Sequence, residues 1–215
     1  MTMPVSAAAE PRLVPGRSCG TCSLCCKVLR IEETASPAGE WCKHCDPGRG
    51  CRVHPTRPAA CRDFFCMWLT HSEVGDHWVP AKSKMVLRPE LNGARIAAHV
   101  DKSTPGAWLR SPYYDDLKRW AKIAAEGDNQ VSVWIGMHAI VILPERDVDL
   151  GVVDEDEVVV STKQVTPAGL VLGAEKIKRS ELVERQKQWA AARQHHAAES
   201  GAGNLAAGVA LPRGL

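Results

Sequence analysis

The chain has 215 residues and a formal charge of +2, from 27 Lys and Arg against 25 Asp and Glu, with 45% hydrophobic residues. This is the composition of a soluble globular protein of ordinary domain size, and its near balance of charge gives no strong pull toward nucleic acid or a membrane surface. No apolar run approaches the length of a membrane span.

Residues 1–17 hold three prolines and an alanine run, without an apolar stretch long enough for a secretion signal. They read as a loose tail, and the chain as cytoplasmic, in a compartment where thiols stay reduced. Residues 18–69 then carry all nine cysteines, from Cys19 to Cys66. Cys19, Cys22 and Cys25 repeat as C-x2-C-x2-C, with Cys26 directly after. A two-residue gap lets one tight turn aim two sulfurs at a common point, which is why such hooks recur in zinc and iron–sulfur sites. Cys42 and Cys45 make a second hook around His44. Pro47, Gly48 and Gly50 turn the chain back toward Cys51, with His54 just beyond. Pro58 is placed to begin a helix on which Cys61, Phe65, Trp68 and Leu69 share one face, with Thr56 as a nearby cap. On such a helix Cys66 lies about 140° round from Cys61, so those two would share an ion only if the helix stopped between them. An odd cysteine count, an adjacent pair and no secretion signal argue against a disulfide framework. Lys27, Arg30, Lys43, Arg49, Arg52, Arg57 and Arg62 supply cations that would offset thiolate charge.

Taken together, C-x2-C-x2-C-C, a later cysteine before a Gly-rich turn, G-C-x-V-H and R-P-x2-C-R-x-F resemble the YkgJ-type CxxCxxCC family, described as zinc- or iron-chelating. The resemblance spans about residues 18–69. It implies ligands at Cys19, Cys22, Cys25, Cys26, Cys45, Cys51 and Cys61. Cys42 and Cys66 are additions to that pattern, and His54 stands where the family usually has Tyr. A related cysteine domain in flagellin lysine methylases keeps an enzymatic reading open by analogy.

Residues 70–178 read as an α+β region. Thr70 to Pro80 is a polar connection containing His71 and His77. Lys84–Arg88 and Ala94–Asp101 are strands around a Pro89, Asn92, Gly93 turn. Ser103–Pro112 is irregular, with Trp108 as an anchor. A helix follows, burying Tyr114, Leu117, Trp120 or Ala121, and Ala124, with Asp115 and Asp116 in its first turn and Gly127 at its end. Val131–Ile135, Ala139–Leu143, Val148–Val153 and Glu157–Thr162 read as strands, His138 as a core histidine, and the Asp-rich turn before Glu157 as solvated. Residues 179–215 are a polar helix anchored by Leu182, Val183 and Trp189, then His195, His196 and a disordered Ala- and Gly-rich tail.

The fold expected is α+β: a cysteine-rich metal-binding module packed on a small, mostly antiparallel sheet with two helices. The function expected is chelation of zinc or iron, including an iron–sulfur cluster, by clustered thiolates in a structural or carrier role. Cys19, Cys22, Cys25, Cys26, Cys45, Cys51 and Cys61 lead the ligand set, followed by Cys42, Cys66 and His54. Two other readings differ in kind. One is an enzyme of redox or methyl-transfer type with a cleft lined by His99, Tyr113 or His138. The other is an adaptor whose C-terminal helix binds a protein partner.

Overall fold

The computed structural model describes residues 12–199 apart from Asp128 and Ala168, with side chains as far as Ala192. The calls on residues 1–11, the side chains of His195 and His196, and the tail from 200 onward lie outside the described residues.

The fold is α+β and its sheets are mostly antiparallel. The cysteine segment contributes only brief elements: α1 (Cys25–Val28), the two-residue strands β1 (Cys45–Asp46) and β2 (Gly50–Cys51), α2 (Ala59–Arg62) and α3 (Met67–Thr70). A further one-turn helix, α4 (Pro80–Ser83), leads into the main sheet. That sheet is built from β3 (Met85–Glu90), β4 (Arg95–Val100), β5 (Gln130–Ile135), β6 (His138–Ile142) and β7 (Asp147–Val152), in that spatial order, with α5 (Tyr113–Glu126) between β4 and β5. Only β4 and β5 run parallel, because the helix between them carries the chain back to its starting end. A long hairpin, β8 (Glu157–Thr166) and β9 (Gly169–Lys178), and the helix α6 (Arg179–Glu199) complete the described chain.

Strand alternation sends side chains to two faces, and each face has its own cover. Met85 and Leu87 of β3, Ala98 and Val100 of β4, Val131 and Val133 of β5, and Ile140 and Ile142 of β6 meet Leu117 and Ala121 of α5. Trp78 and Trp108 join this core. On the other face Val86 packs under the cysteine segment with Leu24, Val28, Leu29 and Leu69. Farther along that face Ala139, Val141 and Leu143 meet Val159 and the β8–β9 hairpin.

Several expectations change in detail. The single helix drawn through Cys61 and Leu69 is two helices, since residues 63–66 leave helical geometry between α2 and α3. Pro58 occupies the cap position of α2 rather than its first turn, and Thr56 lies in a separate 3-10 turn. Besides the two long helices, the described residues form four one-turn α-helices, all of them before α5. The Thr70–Pro80 connection is not merely polar, for Val74 and Trp78 are buried in it. Trp78 donates its indole N–H to Asp116 at 2.8 Å, and His77 bonds the same carboxylate at 2.7 Å. His138 is not a core residue; it is half-exposed and paired with Asp149 at 2.5 Å. The drawn tail is tied down near its end: Val14 N–H donates to Leu69 O, and Arg17 donates to the carbonyls of Trp68 and His71. Strand β9 had no counterpart in the sequence reading, because residues 169–178 mix Gly, Ala and charges without clean alternation.

Candidate metal centre

Backbone turns do most of the assembly around the cysteines. Both C-x2-C hooks close the same way: Cys22 N–H donates to Cys19 O at 2.8 Å, and Cys45 N–H donates to Cys42 O at 2.9 Å. Gly20, at φ +51°, supplies the left-handed step inside the first. The hooks are then tied to each other, since Cys42 N–H donates to Cys26 O at 2.8 Å. The β1–β2 hairpin sets Cys51 directly across from Cys45. Cys61 lies on α2, whose Ala60 N–H donates to Glu33 at 3.3 Å. Cys66 is buried at the N-terminal cap of α3.

All nine cysteines are free thiols. They line a single open cavity of about 780 Å³, together with His44, His54, Arg30, Arg57 and Arg88. Val86 and Arg88 of β3 form the wall on the sheet side. The thiols ring this space rather than meeting at one point: among the described residues no three His, Cys, Asp or Glu side chains are arranged to hold an ion. The segments thus share one cavity, but the described side chains form no ready-made ligand group.

Electrostatic coupling divides the ring. Cys26 hydrogen-bonds the thiols of Cys25 and Cys45 and feels Cys42; the bond with Cys25, then burial, push its thiol far up. Burial and the neighbouring Cys26 raise Cys45 to about 11. Burial raises Cys61, with Cys26, Cys42 and Cys51 adding to the effect. Cys26 and Cys42 are thus felt at both Cys45 and Cys61, which joins thiols from three separate segments, with Cys25 bonded to Cys26 and Cys51 in reach of Cys61. Cys19, Cys22 and Cys66 form the other group: burial and Cys22 raise Cys19 against the pull of Arg57, and burial raises Cys66, whose sulfur faces the N–H groups of Leu69 and Trp68.

Cys42 behaves differently from its neighbours. Burial works to raise it, but hydrogen bonds from Ser36, the backbone N–H of His44, Thr34 and the N–H of Cys45 outweigh burial and hold it below the ordinary thiol value. Thr34 and Ser36, themselves buried and bonded to each other at 2.8 Å, were invisible as site residues in the sequence. So was Ser23, which hydrogen-bonds Cys45 and accepts from Gly48 N–H at 3.4 Å. No spacing rule marks a hydroxyl as a thiolate donor; only the loop over residues 31–36, closed by an Ile31–Ser36 bridge, brings them there.

The histidines divide as well. His44 and His54 face the cavity, and His54 is engaged by Arg57 Nη1. His71 bonds Thr70 and His77 bonds Asp116. His99 pairs with Glu90 at 3.1 Å and stacks on Trp134, while Tyr113 donates to His77 O. None of His99, Tyr113 or His138 lines the thiol cavity.

No family model matches the chain, and neither the curated proteins nor the solved structures contain a significant match to it.

Proposed function

We propose that the chain chelates zinc or iron through thiolates, with Cys26, Cys42, Cys45 and Cys61 as the principal set and Cys51 beside them. One observation carries the reading: within one cavity, Cys26 and Cys42 lie in electrostatic reach of both Cys45 and Cys61, so that unpaired thiols from three segments adjoin, and buried Cys42 is already favoured as a thiolate. Burial and mutual repulsion keep the other members protonated, and a divalent cation reverses both effects by attracting the deprotonated sulfurs. Four thiolates suit a tetrahedral zinc site, and the same donors suit iron. The motif resemblance to the YkgJ-type family agrees with this reading, and it adds Cys42 to the ligands that resemblance implied. Cys19, Cys22, Cys25 and Cys66 stand as secondary donors in the same cavity.

Metal analysis of anaerobically purified protein, with its absorption spectrum, tests the proposal. Stoichiometric zinc in a colourless protein assigns zinc, and a broad visible band with iron and sulfide assigns a cluster. Protein isolated without zinc or iron, and unable to take up either after thiol reduction, would overturn it. Replacing Cys42 or Cys61 with Ser should abolish stoichiometric binding, whereas Cys19→Ser should leave the principal ion in place.

A further inference from the structure

The first cysteine run and the second hook meet at a pair of sulfurs. Cys26 and Cys45 are hydrogen-bonded thiol to thiol. Of the cysteines bearing on Cys45, Cys26 is felt more strongly than Cys42. The backbone around this pair is held in place by other bonds. Cys42 N–H donates to Cys26 O at 2.8 Å, Cys45 N–H donates to Cys42 O at 2.9 Å, and Gly48 N–H donates to Ser23 Oγ at 3.4 Å. Two free thiols in contact across a junction that is already fixed are placed for a cross-link. Both residues are half-buried and line the open thiol cavity, which gives a small oxidant an approach.

The neighbouring sulfurs fit such a bond less well. Cys25 also bonds Cys26, but both lie in α1 and are joined by a trans peptide. Their Cα atoms are therefore about 3.8 Å apart, short of the span of an ordinary disulfide. Cys42 shares the hook of Cys45, yet its sulfur is taken up by the N–H groups of His44 and Cys45 and by Thr34 and Ser36. Cys51 faces Cys45 across the β1–β2 hairpin, but the sulfurs that Cys45 feels are those of Cys26 and Cys42.

We propose that Cys26 and Cys45 are an oxidation site of this protein, where a disulfide closes and withdraws two sulfurs from the proposed ion site. The closing of the bond stands on its own; the withdrawal rests on the metal reading. With a small disulfide as oxidant, one sulfur of the pair attacks it as thiolate and expels one small thiolate, leaving a mixed disulfide on the protein. The partner sulfur then attacks the protein sulfur of that bond and expels the second. The pair loses two electrons, and its two protons end on the two small thiols. Of the principal four donors only Cys42 and Cys61 would then remain, too few to close a tetrahedral site.

Peptide mapping tests the bond. Reduced, metal-free, full-length protein is incubated with glutathione disulfide at about pH 8.5, near the ordinary thiol pKa, and remaining thiols are blocked with iodoacetamide. Trypsin then separates Cys45 in 44–49 from Cys42 in 31–43 and Cys51 in 50–52, with Cys26 in 18–27. The expected main linked form of 44–49 is its product with 18–27, assigned to Cys26 by fragmentation. Cys26→Ser should lose that product, and Cys61→Ser should keep it. Cys45 recovered free, joined chiefly to 31–43 or 50–52, or joined to another cysteine of 18–27 would overturn the proposal. In zinc-loaded protein, the link and the zinc captured by a chromogenic chelator should rise together, and dithiothreitol should reverse the link. Formation of the link with zinc fully retained would overturn the withdrawal. A protein that forms the link yet never takes up zinc or iron upholds the oxidation site and sinks the metal reading alone.

Discussion

The cysteine segment and the main sheet are stabilised by different means. The sheet is closed by burial: alternating apolar side chains of β3 to β6 meet α5 on one face, and Leu117 and Val133 are wholly inaccessible. The cysteine segment has one-turn helices, two-residue strands and a small apolar cluster, and its remaining order comes from backbone bonds such as Cys42 N–H to Cys26 O. Such short elements do not hold together alone, because each fixes many torsions for few bonds. If its thiols hold an ion as proposed, a region with so little buried hydrocarbon should depend on that cross-link in a way that the sheet does not.

The sharpest way to break the comparison is to remove metal. Strong chelation under reducing conditions should erase amide-exchange protection over residues 19–66 while β4 and β5 stay protected. Structural thiolate sites contribute on the order of ten kcal/mol, enough to govern the whole segment. Equal protection in the two regions after chelation would place the segment's stability in its packing instead. Next in size is the sheet's own core. Trp78→Ala deletes a fully buried ring and leaves Asp116 short of a donor, so urea unfolding should show a loss of about 3–5 kcal/mol. Metal content should be unchanged in that variant.

A smaller effect tests the seam between the regions. Lys27, next to Cys26, reaches Asp101 at the end of β4 at 2.6 Å, and both side chains are largely buried. Lys27→Met strands that carboxylate and should cost about 1–3 kcal/mol. Burial works to raise Asp101, but Lys27 and the N–H and hydroxyl of Ser103 outweigh it and hold the carboxyl below its ordinary 3.8. The folded protein therefore binds that proton less readily than the unfolded chain. The resulting stability is full above the unfolded value and lost as the pH falls through the lower native one. Thermal unfolding of Lys27→Met should accordingly lose part of its acid sensitivity relative to the native protein. Smallest is Gly39→Ala. Gly39 has φ +85°, and an added Cβ would collide with the Lys102 side chain lying across it, so a loss of about 1 kcal/mol is expected in thermal melts.

The two regions were not equally legible. Strands β3 to β7 and helix α5 stood out because apolar periodicity records which face is buried, and Asn92–Gly93 and Gly136 record where the chain turns. In the cysteine segment spacing alone showed where the thiols lie along the chain, not what surrounds each one. The donors that lower Cys42 and the exposure of Cys19 came only with the fold.

By itself the sequence determined that an α+β core would form behind a thiol-rich segment, because burial periodicity and tight-turn chemistry are local properties of neighbouring residues. Only the tertiary structure decided which thiols adjoin one another and that Thr34 and Ser36 donate to Cys42. Those relations join residues far apart along the chain, and they exist only once the turns, strands and helices have packed in three dimensions.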